Sequence, residues 1–230
     1  MQASLILLLW WALFGGTHIV LSSARFRPKL VAQLGERPFL GLYSLVAFAT
    51  LIPLFVYYFR HKHAGPQLWT TFGPHLLARD LNLVFMALAF VLLICGLVSR
   101  PPSAMMTSGT PTPYGITRIT RHPTFAAFFL FGLAHCLVNG TIGDLIFFGG
   151  FFVFAWVGAW HQDTRKVVEV PGYAEFKAAT SFIPFAAILS RKQPFPRGEL
   201  RWGVILLALV VFYVVRAYHP HFFGGVLMAL

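Results

Sequence analysis

Arg118, Arg121 and His122 lie close together in Tyr114-Gly115-Ile116-Thr117-Arg118-Ile119-Thr120-Arg121-His122-Pro123, and an apolar run follows at once. Two guanidiniums and an imidazole offer many donors and no obligate acceptor, which suits a carboxylate or phosphate better than a neutral ligand. Arginines beside an apolar run also anchor membrane spans, so charge alone leaves both readings open. A proline costs nothing at the first turn of a helix, where its missing N–H would be unpaired anyway. Pro123 therefore marks the start of a helix running to Val138, with the basic cluster at its mouth.

A second group with chemical capacity is His161 and Asp163, in Gly158-Ala159-Trp160-His161-Gln162-Asp163-Thr164-Arg165-Lys166. The connection at Asn139 to Gly143 is too short for anything but an antiparallel hairpin between the apolar runs on either side. It brings His161 and Asp163 to the end that carries Arg121 and His122, and these four are the candidate catalytic residues. Two further histidines fall inside apolar runs. His18 shares a helical face with Trp11, Gly15, Ser22 and Arg25, and His135 shares one with Phe128, Gly132 and Asn139. An ionisable side chain within a span is costly enough that function is its default reading. A flat ligand can lie against Gly132. His61, His63 and His75 lie in a Gly/Pro-punctuated connection and read as surface histidines, because His-x-His lacks the further ligands a metal site needs. Arg79-Asp80 and Asn82 either pair locally or reach a neighbour.

These residues are carried by a chain of 230 residues that is 57% hydrophobic and only 11% charged, with a mean hydropathy of +0.71. Such a chain cannot present a water-compatible surface, and several runs approach the roughly 20 apolar residues that cross a bilayer. The expected fold is an all-α polytopic bundle of one domain with about six spans, near residues 3–23, 39–59, 78–98, 123–138, 142–160 and 202–215. With the N-terminus outside, all 18 Lys and Arg except Arg60, Lys62, Arg79 and Arg216 face the cytoplasm, as the positive-inside rule requires. Both termini are then non-cytoplasmic, and the net charge of +11 reports topology and not nucleic-acid binding. Cys95 and Cys136 both lie in apolar runs and read as packing residues. The first run lacks a basic n-region and a cleavage site, so it is kept as a helix. Ser99 to Thr117 reads as an irregular loop, residues 172–185 as an interfacial amphipathic segment, and His219 to Leu230 as an interfacial tail.

Gly15-Gly16-Thr17-His18, Arg118-Ile119-Thr120-Arg121-His122-Pro123, Leu133-Ala134-His135, Gly158-Ala159-Trp160, Asp163-Thr164-Arg165-Lys166 and Thr180-Ser181-Phe182-Ile183-Pro184-Phe185 occur in that order. In this the chain resembles NnrU-family membrane proteins over nearly its whole length. The resemblance implies a haem b held inside the bundle, redox-dependent ligation of its iron, and, in the family's carotenoid isomerases, isomerisation of a long polyene. Bacterial members are associated with nitrogen-oxide metabolism. His18 and His135 match the iron ligands. Gly132 stands where the isomerases carry a cysteine three residues before the second histidine. Arg118, Arg121, Gly132, Trp160 and Arg165 are the residues expected around the cofactor, with Arg118 and Arg121 on haem propionates or an acidic substrate.

Two axial ligands of one iron must share a depth, whereas His18 and His135 sit toward opposite ends of their spans. The conflict eases if the first helix runs on to about Pro28, leaving His18 about 15 Å from its end; otherwise His122 or His161 is the better partner. The section from Arg121 to Tyr173 also resembles isoprenylcysteine and phospholipid methyltransferases, which implies S-adenosylmethionine as an alternative cofactor held by His122, Arg121 and Asp163. A third reading is a non-enzymatic haem-handling or assembly factor. The expected surroundings are a bacterial inner membrane, a hydrophobic or lipid-like small molecule and a redox partner.

Overall fold

The computed structural model describes residues 2–69, 76–99, 101–103 and 110–224; His75, Arg100 and much of the loop before Tyr114 lie outside them. Ten helices follow one another among these residues: α1 (Gln2–Ser22), α2 (Arg27–Leu34), α3 (Glu36–Arg60), α4 (Leu76–Ser99), α5 (Ile116–Ile119), α6 (Pro123–Val138), α7 (Ile142–Glu169), α8 (Tyr173–Ala179), α9 (Ala186–Leu189) and α10 (Trp202–Phe223). Five of them, α1, α3, α4, α7 and α10, are long and apolar enough to cross a membrane, and α6 is a shorter apolar helix. The all-α bundle expected from hydropathy is present.

Each span packs on its neighbours in the order α3, α1, α7, α6, α4, α10. α7 is the most enclosed span and α10 the least, so α7 is the post against which the α1–α3 pair and the α6–α4–α10 group both rest. Leu7, Trp11, Phe14, Leu54, Tyr58, Phe147, Phe148 and Phe151 form the core on the first side. Ala89, Leu92, Cys95, Ile116, Ile119, Ala126, Ala127 and Leu130 form the core on the second. Leu206, Leu207 and Val210 on α10, and Leu45, Phe48 and Ile52 on α3, are exposed, as lipid-facing side chains are in a bilayer.

Local chemistry sets one boundary that hydropathy finds to within a residue and two that it misplaces. α1 stops at Ser22 because the Ser23 hydroxyl turns back to the Val20 carbonyl and accepts from the Phe26 N–H. The chain restarts as α2 with Pro28 in its first turn, so the first helix does not run unbroken to Pro28. α7 continues past Trp160 to Glu169 because no glycine or proline intervenes before Pro171, and it carries His161, Asp163, Arg165 and Lys166 on helix. α10 runs through Arg216 and Pro220 to Phe223, taking in the first part of the tail expected to lie in the interface.

At the α6–α7 hairpin Thr141 caps α7, its hydroxyl accepting from the Asp144 N–H at 3.3 Å. Residues 64–68 clamp this turn through Leu68 N–H to Gly140 O, Ile142 N–H to Pro66 O and Gly143 N–H to Ala64 O. At the other end residues 181–185 fold back on the chain before α6, with Arg121 N–H donating to Ser181 O and Phe185 N–H to Ile119 O.

Candidate functional site

Asp163 is the hub of the basic end. Its Oδ2 accepts from Arg121 Nε at 2.8 Å and Nη2 at 2.7 Å. Its Oδ1 accepts from His122 Nε2 at 2.7 Å and from the Tyr173 hydroxyl at 2.8 Å. His122, Asp163 and Tyr173 are all buried. The hairpin thus brings Arg121, His122 and Asp163 together, as their sequence positions imply. Tyr173, which reads from sequence only as an interfacial aromatic, supplies a fourth donor.

A carboxylate has about four lone-pair sites, and here all are taken. The His122 Nε2 proton is committed to Asp163, so Nδ1 carries the lone pair, and that buried atom has the Gln162 side chain near it but makes no well-formed hydrogen bond among the described residues. Burial holds the His122 imidazole below its ordinary pKa of 6.5, against the opposing pull of Asp163 and Gln162. Burial and the Asp163 charge both raise the Tyr173 phenol, which stays a donor. A neutral imidazole oriented by a carboxylate, with its second nitrogen bare, is equipped to accept a proton or to ligate a metal.

The other arginine of the entry loop is occupied differently. Arg118 Nε donates to Glu199 at 2.8 Å and its Nη1 to Gln193 at 2.5 Å, while the Gly115 N–H also donates to Glu199 at 2.7 Å. The Arg118 and Gly115 donors hold the Glu199 carboxyl below its usual range. This cluster ties the entry loop to the start of α10. His161 presents a buried Nε2 and Arg165 a buried Nε, neither with a partner among the described residues. Trp160 points outward at 65% exposure, apart from the other candidates. The face of Gly132 is taken by α7: a Cβ there would lie 2.5 Å from the Phe148 carbonyl oxygen, so glycine permits the α6–α7 contact.

His18 and His135 border the seam where α1 and α6 flank α7. Each donates Nδ1–H to the carbonyl four residues back, His18 to Phe14 at 2.8 Å and His135 to Phe131 at 2.9 Å. Neither Nε2 makes a hydrogen bond among the described residues. The His18 ring touches Phe14, Tyr43 and Phe154, with centroids 4.2, 5.0 and 5.5 Å away. His135 stacks on Phe148 at 4.4 Å. Phe148 and Phe154 are six residues apart on α7, about 9 Å along its axis, and Phe151 between them packs on Trp11 and Phe131. Phe154 also reaches Phe125, and Phe125 reaches His122. His18 therefore belongs to the layer of the basic end, and His135 to the opposite end.

That opposite end holds a site the motifs did not single out. Asp144, fully buried, accepts from Tyr58 at 2.8 Å, Thr141 at 2.7 Å and His63 at 2.9 Å. The Thr-x-x-Asp spacing of a helix start was the available signal. His63 is partly exposed, as expected, but its Nδ1 is also a hydrogen-bond partner of Asp144. Arg79 pairs locally with Asp80, while Asn82 reaches across to the Ala134 carbonyl at 2.8 Å.

The fold and this histidine-bordered seam define a class: polytopic helical membrane proteins with imidazoles turned into an aromatic interior. The model of one family, NnrU protein, matches residues 6–226, and the chain belongs to that family. Among curated proteins it is similar to the chloroplastic 15-cis-zeta-carotene isomerase of Zea mays, 28% identical over 200 residues covering 84% of this chain and 52% of the maize protein. It is also similar to the enzyme of the same name from Arabidopsis thaliana, 30% identical over 229 residues covering 95% of this chain and 59% of the plant protein. The chain thus spans between half and three fifths of these relatives. No solved structure matches it.

Haem b, implied by the family resemblance, can be set against these residues. His18 and His135 each have the donor chemistry of an iron ligand, with the tautomer fixed by a backbone carbonyl and Nε2 left bare. As a pair on one iron they do not fit, because they differ in depth and α1 ends only four residues after His18. S-adenosylmethionine fares worse at Asp163, where the protein's own donors fill the carboxylate.

Proposed function

We propose that this NnrU-family protein is a haem b-binding membrane enzyme of the isomerase type, taking a long apolar substrate from the bilayer into the seam between α1 and α6. The observation that carries the reading is His18: its Nδ1 is spent on the Phe14 carbonyl and its Nε2 is uncommitted, within a cage of Phe14, Tyr43 and Phe154. His18 is the iron ligand in this reading, and His135 does not share its iron. Bound there, haem supplies a redox-variable iron whose reactivity follows its axial ligand and surroundings. The chain's own part is to hold and orient: aromatic rings exclude water and offer flat faces to a conjugated substrate.

His122, fixed by Asp163, is the proton acceptor of the site, and Arg121 fixes Asp163 in turn. The names of the plant relatives support an isomerase that acts on a long polyene. The membrane in this reading is a bacterial inner membrane, and the distribution of Lys and Arg supports the basic end facing the cytoplasm, where a redox partner would reach it. Absorbance spectra of detergent-purified variants test the ligand. His18→Ala is expected to abolish a Soret band that His135→Ala retains; a band unchanged in His18→Ala removes His18 from the site.

A further inference from the structure

Phe154, Gly158, His161 and Arg165 recur at four-, three- and four-residue steps and so form one stripe of α7. At its upper part Phe154 meets Phe14 and His18 of α1 and Phe125 of α6, and Gly158 lies against the Phe125 ring. The stripe therefore faces α1 and α6, with the Phe125 ring seated on Gly158, and it continues to His161 and Arg165 at the basic end. Arg165 is only 8% exposed. One of its nitrogens, Nη1, donates to Glu169 at 3.1 Å, while Nε is buried without a partner among the described residues, as is His161 Nε2 one turn above it. Arg27 and the hydroxyls of Tyr43 and Tyr173 lie within electrostatic reach of Arg165. The remaining charge beside it is the buried Lys166, which donates to the Pro102 carbonyl. Cation thus outweighs anion at this spot, and a buried guanidinium N–H left unpaired is costly.

Arg118 and Arg121 are the arginines that the sequence offers to an acidic ligand, yet both are held by the protein's own carboxylates. We infer that Arg165, with His161 beside it, is the acid-binding head of the seam, receiving the oxyanion of an amphiphile whose apolar body lies along the α7 stripe toward His18. The inference deepens the proposed function by naming the ligand's chemistry: a carboxylate, as on a haem propionate, or a phosphate, as on an anionic lipid. The planar fork of a guanidinium suits either group.

The full chain in detergent is titrated with haem b and with haem b dimethyl ester, whose propionates are masked, following the absorbance change. Thermal midpoints are compared in nanodiscs of phosphatidylcholine with and without phosphatidylglycerol. If a propionate is the oxyanion, Arg165→Met weakens binding of haem b about tenfold or more and leaves binding of the ester unchanged. If a lipid phosphate is, both haem compounds bind wild type and variant alike, and phosphatidylglycerol raises the midpoint of the wild type but not of Arg165→Met. Arg165→Lys keeps the charge, loses the Nε donor, and replaces Arg165→Met should that variant not fold. Should wild type bind neither haem compound, the haem reading falls, and the lipid comparison alone decides the acid-binding head. Variants that match wild type in every titration and midpoint overturn it.

Discussion

At the scale of single residues, Asp163 has the most to lose. It is buried and holds three partners, so Asp163→Asn leaves the Arg121 guanidinium without its counter-charge. Breaking such a buried pair costs about 3–5 kcal/mol, and the expected result is a large drop in the thermal midpoint of the detergent-solubilised protein. A midpoint within a degree or two of wild type would contradict the network. His122 sets a pH dependence. Its folded pKa lies below the ordinary 6.5 because of burial, so the unfolded chain takes up its proton first as pH falls. The stability His122 contributes is thus full above that ordinary value and declines as pH drops from it toward the folded pKa. His122→Gln should flatten the part of the midpoint-against-pH curve that this histidine causes; an unaltered curve would show that it does not titrate on unfolding.

Much of this residue chemistry is legible in the sequence. The Arg-His-Pro entry and the His-x-Asp of α7 are joined by a hairpin with one possible topology, so their meeting follows from connection length alone. Tyr173 and Glu199 are not legible in this way, because each arrives from a segment whose path depends on tertiary packing. The bare Nδ1 of His122 and bare Nε of Arg165 are invisible to sequence altogether, since a motif reports that a group is present and not whether its hydrogen bonds are satisfied.

At the scale of elements, the α6–α7 contact depends on Gly132. A methyl group there would meet the Phe148 carbonyl and, at 3.0 Å, the Phe152 nitrogen, both backbone and unable to swing aside. Gly132→Ala should therefore push the helices apart and cost about 1–3 kcal/mol, seen as a lower thermal midpoint. If Gly132→Ala is as stable as wild type, α6 does not approach α7 as described. Spacing places Gly132 and His135 on one inward stripe, and the structure adds that the inward neighbour of the glycine is a helix backbone. The extent of α7 beyond Trp160 escapes a hydropathy reading because it turns on the absence of a stop signal, whereas the end of α1 at Ser22 falls within a residue of the apolar run, and a serine that caps its own turn accounts for it.

At the scale of the whole molecule, the order α3, α1, α7, α6, α4, α10 puts the seam beside the most enclosed helix and separates two polar ends. One gathers Arg121, His122, Asp163 and Tyr173; the other gathers Tyr58, His63, Thr141 and Asp144. In the topology proposed from the charge bias the first of these faces the cytoplasm, so a cysteine placed at the exposed position of Arg197 should react with an impermeant maleimide only after cells are opened. Labelling of intact cells would reverse the topology. Function rests on what the seam holds, and one spectrum bears on that most directly. The protein is purified in mild detergent from haem-replete cells, its absorbance recorded oxidised and dithionite-reduced, and its haem counted as the pyridine haemochrome. Stoichiometric haem b with a Soret band that shifts on reduction is the expected result; a flat spectrum from well-folded protein would contradict haem binding and leave His18 without an iron.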